Sequence, residues 1–260
     1  MPFQTGATIF DYCERGANPA FWAEPLNAVT NGGFIVAGLA GVVLSMRRPS
    51  SGRSLWYWFF ILNFMAIGIG SFLFHTVPNV TTVQADTIPI GIFMIAYLTF
   101  AMKRFVRLSW FLTAAGIAAF IGAMIASLNV QCWNGRFGFL DNVPPGAQAK
   151  CLNGSLGYAP ALIAMWAIAG WLMMKRHPAA PLVFAAGATF IISLTFRSVD
   201  FSLCNDIILC GRKAGTHFVW HLLNSLTLFL LLLAGIKYGG HRQEVLPPRP
   251  KASQDRYAFQ

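Results

Sequence analysis

The sequence predicts an all-α integral membrane protein: a bundle of seven transmembrane helices, with the N-terminus outside and the C-terminus in the cytoplasm. Three observations carry this. The composition is 56% hydrophobic and only 11% charged, whereas soluble domains carry about 25% charged residues. The apolar residues fall in seven long blocks, about 26–46, 54–75, 83–102, 108–128, 156–174, 180–198 and 216–237. Each is close to the roughly 20 residues that cross a hydrocarbon core about 30 Å thick. None alternates with period two, which excludes a transmembrane barrel. Finally, the basic residues sort by loop. Arg47, Arg48, Arg53, Lys103, Arg104, Arg107, Lys175, Arg176, Lys237, Arg242, Arg249, Lys251 and Arg256 fall on one side. Arg15, Arg136, Lys150, Arg197, Arg212 and Lys213 fall on the other. Cytoplasmic loops hold the excess, which fixes the orientation.

Residues 1–25 form an extracytoplasmic N-terminal segment. They show no basic start followed by an apolar core, so the first span acts as its own insertion signal. Residues 26–237 form the seven-span domain, and 238–260 a cytoplasmic tail. The tail, "HRQEVLPPRPKASQDRYAFQ", is polar, basic and rich in proline, and reads as disordered with contact to anionic lipid heads. The net charge of +10 follows from the loop bias. No basic patch interleaved with aromatics marks a nucleic-acid interface, and no protein partner is identifiable.

Cysteines give an independent check on orientation. Cys13, Cys132, Cys151, Cys204 and Cys210 all fall in outside segments. Disulfides persist in oxidising compartments, so the chain belongs in a bacterial inner membrane or an ER/Golgi membrane. Cys132 and Cys151 flank the loop "CWNGRFGFLDNVPPGAQAKC" and close it. Cys13 pairs with Cys204 or Cys210, and one of the five stays free.

The polar residues inside the blocks point to chemistry. The second span ends "GIGSFLFHTVP", placing Ser71 and His75 four residues apart on one helix face near its outer end. The third begins "QADTIPIGIF", with Asp86 at its outer end. The seventh opens "GTHFVWHLLNS", with His217 and His221 in its first two turns. Ionisable residues in spans are rare and mark function by default. Taken singly, each has a plainer reading: His217 and His221 as interface hydrogen-bonders, Ser71 as a small packing residue, Asp86 as a cap. Together they fall at one depth on one side. Three neutral imidazoles with an open position suit Zn²⁺. Such an ion activates water at neutral pH. Asp86 would take the water's proton and pass it to a leaving nitrogen. Ser71 would donate to the developing oxyanion. The soluble zinc-protease pattern is absent, because Phe218 follows His217. Asp200, in "FRSVDF", either pairs with Arg197 or supports a histidine ligand, and Trp220 reads as packing.

Three stretches resemble the alkaline ceramidase family, within a superfamily of seven-helix membrane hydrolases that includes the adiponectin-type receptors. "DYCERGANPAFWAEPLNAVTN" is similar to its opening Asp-aromatic-Cys-Glu segment and the Ala-Glu-x-x-Asn run that follows. "GSFLFHTV" with Asp86 keeps its Ser-His-Asp spacing, and "HFVWHLL" matches its last helix. The resemblance implies zinc on His75, His217 and His221, with Asp86 and Ser71 as catalytic residues. It implies hydrolysis of a ceramide-like membrane lipid to a sphingoid base and a fatty acid, at the extracytoplasmic side. It further implies a calcium ion held by Asp11, Glu14, Glu24 and the Tyr12 carbonyl, although Gly16 stands where the family pattern has Asn. It pairs Cys13 with Cys204.

The alternative is an adiponectin-receptor-like lipid sensor with weak hydrolase activity. That class carries a substantial cytoplasmic N-terminal segment, whereas this one is short and outside. A transporter would place ionisable residues at the midplane, and a retinal protein would need a lysine in mid-span 7; neither pattern is present.

Overall fold

The structure is a computed structural model that describes residues 12–49, 52, 54–130 and 151–240. Asp11, Cys132 and the tail from residue 241 therefore lie outside the described residues. Among the described residues, seven helical segments are long and apolar enough to cross a membrane: 25–46, 55–76, 80–106, 110–128, 151–174, 180–198 and 217–238. They follow the predicted blocks to within a few residues, and they make the chain a multi-pass integral membrane protein. Large apolar side chains such as Leu62, Phe111 and Ile163 point outward, as a lipid-facing surface requires.

The first span is two helices, α1 (Pro25–Thr30) and α2 (Gly32–Met46), separated by Asn31. Then come α3 (Leu55–Thr76), α4 (Val80–Ala101), α5 (Trp110–Leu128), α6 (Ala159–Met174), α7 (Ala180–Ser198) and α8 (His217–Tyr238). Their starts carry ordinary chemistry. The side chains of Ser54, Asn79 and Ser109 accept hydrogen bonds from the first-turn amides of α3, α4 and α5. Pro25, Pro160 and Pro181 occupy first-turn positions, where a missing N–H costs nothing. At the other end of α4 a π-helical turn, Met102–Val106, carries Lys103 and Arg104.

Each helix packs on its neighbours in sequence, and α8 returns to α2, closing a ring. The α3–α4 and α7–α8 pairs are the most extensive. A cluster of Phe60, Phe64, Phe93, Tyr97 and Phe100 fills the half of the bundle away from the histidines. There the Tyr97 hydroxyl donates to the Leu231 carbonyl at 2.7 Å.

Pro89 lies inside α4. It has no N–H to give the Ala85 carbonyl one turn earlier, and proline crowds that carbonyl out of the ladder. The displaced oxygen turns toward α3 at Gly70, where an added Cβ would lie only 2.0 Å from it. Only glycine admits this approach, and it brings the neighbouring residues Ser71 and Asp86 together.

Residues 12–24 fold over the histidine end of the bundle and are held there by a disulfide between Cys13 and Cys204. Cys210 is free and exposed, at the turn of a small hairpin, β1 (Ile208–Leu209) and β2 (Arg212–Lys213). Cys151 is disulfide-bonded; Cys132, its expected partner, lies outside the described residues.

Candidate metal centre

Three histidines meet where α3 ends and α8 begins. His75 is in the last turn of α3, and His217 and His221 are in the first two turns of α8. All three are buried, and a ligand nitrogen from each lies within 4.8 Å of the others. The His75 ring centroid is 5.3 Å from that of His217 and 4.8 Å from that of His221.

The outer ring nitrogens are held from behind. His75 Nδ1 pairs with Glu24 Oε2 at 2.5 Å, and His221 Nδ1 is 3.0 Å from the Thr30 hydroxyl. Partners of this kind fix a ligand's tautomer and orientation. His75 Nε2 and His217 Nδ1 are buried with no hydrogen-bond partner among the described residues. Buried polar atoms are seldom left so, and three buried imidazoles gathered this closely are what a cation would satisfy. The donor set fits a metal ion.

Ser71 and Asp86 line one cavity with His217 and His221, of about 550 Å³ of empty space. Asp86 is half-buried, and the Ser71 hydroxyl lies against its carboxylate. The five residues singled out from sequence are thus brought together.

The backbone of α8 is positioned by Asp200, which is fully buried. Its carboxylate accepts from the amides of Cys13 (2.9 Å), Thr216 (2.7 Å) and His217 (2.9 Å). Among the described residues it forms no ion pair with Arg197, so that sequence expectation is corrected: Asp200 caps a helix start and ties the N-terminal segment to it. Gly215, at φ +60°, passes so close that a Cβ would fall 2.2 Å from Asp200 Oδ1. Burial raises the Asp200 carboxyl above its usual range, and its three amide bonds offset this only in part.

The described residues proposed for calcium already have protein partners. Asp11 lies outside the described residues. The Tyr12 carbonyl accepts from Gly16 at 3.3 Å, and the Tyr12 ring stacks on His217 with centroids 3.7 Å apart. Both Glu14 oxygens accept backbone amides, from Leu26 and Asn27, at 2.8 Å each. Burial still raises the Glu14 carboxyl. Glu24 receives Arg15 Nε on one oxygen, and His75 and Asn27 on the other. Arg15 also donates to the carbonyls of Asn18, Ala20 and His75. Burial would raise Glu24, but His75 and then Arg15 hold it below the usual carboxylate range. A fixed guanidinium thus neutralises the acid that calcium would need. The purified protein is expected to bind no stoichiometric calcium by equilibrium dialysis with radiocalcium. Stoichiometric uptake, abolished in Glu14→Gln, would reverse this.

A family model described as Ceramidase matches residues 5–245. The chain belongs to the ceramidase family. Membership supports a hydrolase of ceramide amide bonds, and the three histidines are consistent with a metal-dependent ceramidase. No curated protein matches this chain.

Sequence reasoning missed four residues of this candidate site. Arg15 reads in the sequence only as an outside charge, Arg197 as an outside charge or a partner for Asp200, Thr30 carries no signal, and Asn224 passes as part of an apolar run. Asn224 is buried one turn below His221 and lines the cavity. Its polar side chain in mid-span was a usable signal.

Proposed function

We propose that the protein is a zinc-dependent intramembrane ceramidase that cleaves ceramide-like lipids to a sphingoid base and a fatty acid. Its site faces the extracytoplasmic side. The observation that carries this is the adjacency of two cavities. The polar cavity at the histidines shares Ile90, Tyr158 and Asn224 with an apolar one lined by Phe93, Met94, Phe120, Met165 and Leu228. An alkyl chain in the apolar cavity would set its amide beside Asp86 and the histidines.

His75, His217 and His221 would hold the zinc, which when bound supplies a Lewis acid and a water acidified to a pKa of about 7. Asp86 takes a proton from the attacking water and hands it to the amide nitrogen as that nitrogen leaves. Ser71 donates to the oxygen on which negative charge develops. Glu24 and Thr30 keep two imidazoles aimed inward. The apolar walls exclude bulk water, which strengthens each of these interactions.

The test is fatty-acid release from a ceramide panel by purified protein, with and without a zinc chelator. One zinc per chain and chelator-sensitive release of fatty acid are expected. Release of fatty acid by protein carrying no metal would sink the mechanism. Turnover of a non-sphingolipid amide alone would move the substrate.

A further inference from the structure

Arg197 is an unusual lining residue for a cavity that takes a neutral lipid. It stands in the last turn of α7 and lines the same cavity as Asp86, His217 and His221. Its guanidinium carbon sits 5.2 Å from the Trp220 ring centroid and 5.6 Å from those of Tyr12 and Tyr158. Those three rings offer π-electron density to the ion, whose five N–H donors lie in its plane. One edge donor, Nη1, reaches the Tyr12 hydroxyl at 3.2 Å. Nε is buried with no partner among the described residues. No carboxylate lies within ion-pair distance: the two ion pairs among the described residues both belong to Glu24.

A guanidinium keeps its charge at any accessible pH and presents a planar fork that matches a carboxylate. Held by three aromatic rings and paired directly with no carboxylate, with Asp86 as the acid that shares its cavity, it keeps donors in place for an anion that arrives with the ligand. We propose that Arg197 is a carboxylate-binding residue of the cavity, receiving the fatty-acid anion released by hydrolysis or an acidic group on the lipid itself. The first source rests on the ceramidase reading above; the binding site does not.

The first experiment reads binding without turnover. Metal-free protein in detergent is titrated with dodecanoate, dodecanol and dodecylamine, each competing against a fluorescent fatty acid. Removing zinc removes the competing seat for a carboxylate. Wild type is expected to prefer the acid to the alcohol by about tenfold or more, as a charge-assisted bidentate contact implies. Arg197→Gln loses that preference, and Arg197→Lys keeps part of it, because it has the charge without the fork. Equal affinity for acid and alcohol in wild type overturns the proposal, even should the glutamine variant not fold. So does an undiminished preference in Arg197→Gln. In the zinc-loaded enzyme, a raised inhibition constant for added dodecanoate in Arg197→Gln assigns the carboxylate to released product. A rise in KM that is larger for an acidic-headgroup amide than for a neutral one assigns it to substrate. Absence of both shifts overturns the proposal.

Discussion

Asp86→Asn is expected to retain its metal and to lose kcat by about 10²–10⁴-fold, the range general-base catalysis contributes. The carboxamide has nearly the same shape and can still meet the Ser71 hydroxyl, but it cannot carry a proton from water to the leaving nitrogen. The contrast with His217→Ala is what gives the result its meaning. That variant removes one of three mutually facing imidazoles, so zinc content and turnover should fall together. Zinc stoichiometry measured beside single-turnover kinetics separates the two. An Asp86→Asn enzyme with near-normal kcat would remove Asp86 from the reaction. One that also lost its zinc would make Asp86 a determinant of the metal site instead.

Gly70→Ala should be among the most damaging single-methyl changes in the chain. The new Cβ would meet the Ala85 oxygen at 2.0 Å and the Ala85 carbon at 2.6 Å. These are backbone atoms of α4, so no side chain can swing away, and the helices must separate by more than an ångström. Overpacking of this kind costs about 1–3 kcal/mol or more. A misplacement of about 1 Å between catalytic groups costs roughly 100-fold in rate. The variant is therefore expected to unfold at lower temperature and to lose at least about 100-fold in kcat/KM, with zinc still bound by α3 and α8. Gly122→Ala and Gly170→Ala are the controls: both sit in spans with nothing within 4 Å of the added Cβ, and both should be neutral or slightly stabilising, since alanine favours helix. Normal activity in Gly70→Ala would mean that the close α3–α4 approach does not position Ser71 against Asp86.

Much of the site was legible in the chain because its signals are local. A span is a run of about 20 apolar residues, and the spacing of Ser71 and His75, or of His217 and His221, fixes a shared helix face whatever the helix packs against. Loop charges then set all three helix ends to one side. The resemblance in "HFVWHLL" and "GSFLFHTV" acted on those same short stretches. The calcium expectation rests on a signal of the same kind: it counts acids in a local pattern and does not see that Arg15 folds back onto Glu24 across nine residues. Arg197 was missed because a basic residue at a span end reads as a loop charge, and only the packing of α7 on α8 turns it inward under Trp220.

By itself the sequence determined the seven spans, their order, and which polar residues lie near one end of each. Those follow from transfer free energies and helix periodicity, which neighbouring residues decide. The tertiary structure decided which polar faces meet. It did so through contacts between atoms distant in sequence: the Ala85 carbonyl freed by Pro89 against Gly70, Asp200 against three amides, and Glu24 between Arg15 and His75. A membrane helix that is apolar all round carries no periodic stripe to announce its partners, so small residues and buried polar contacts make that choice, and they act only once the chain has folded.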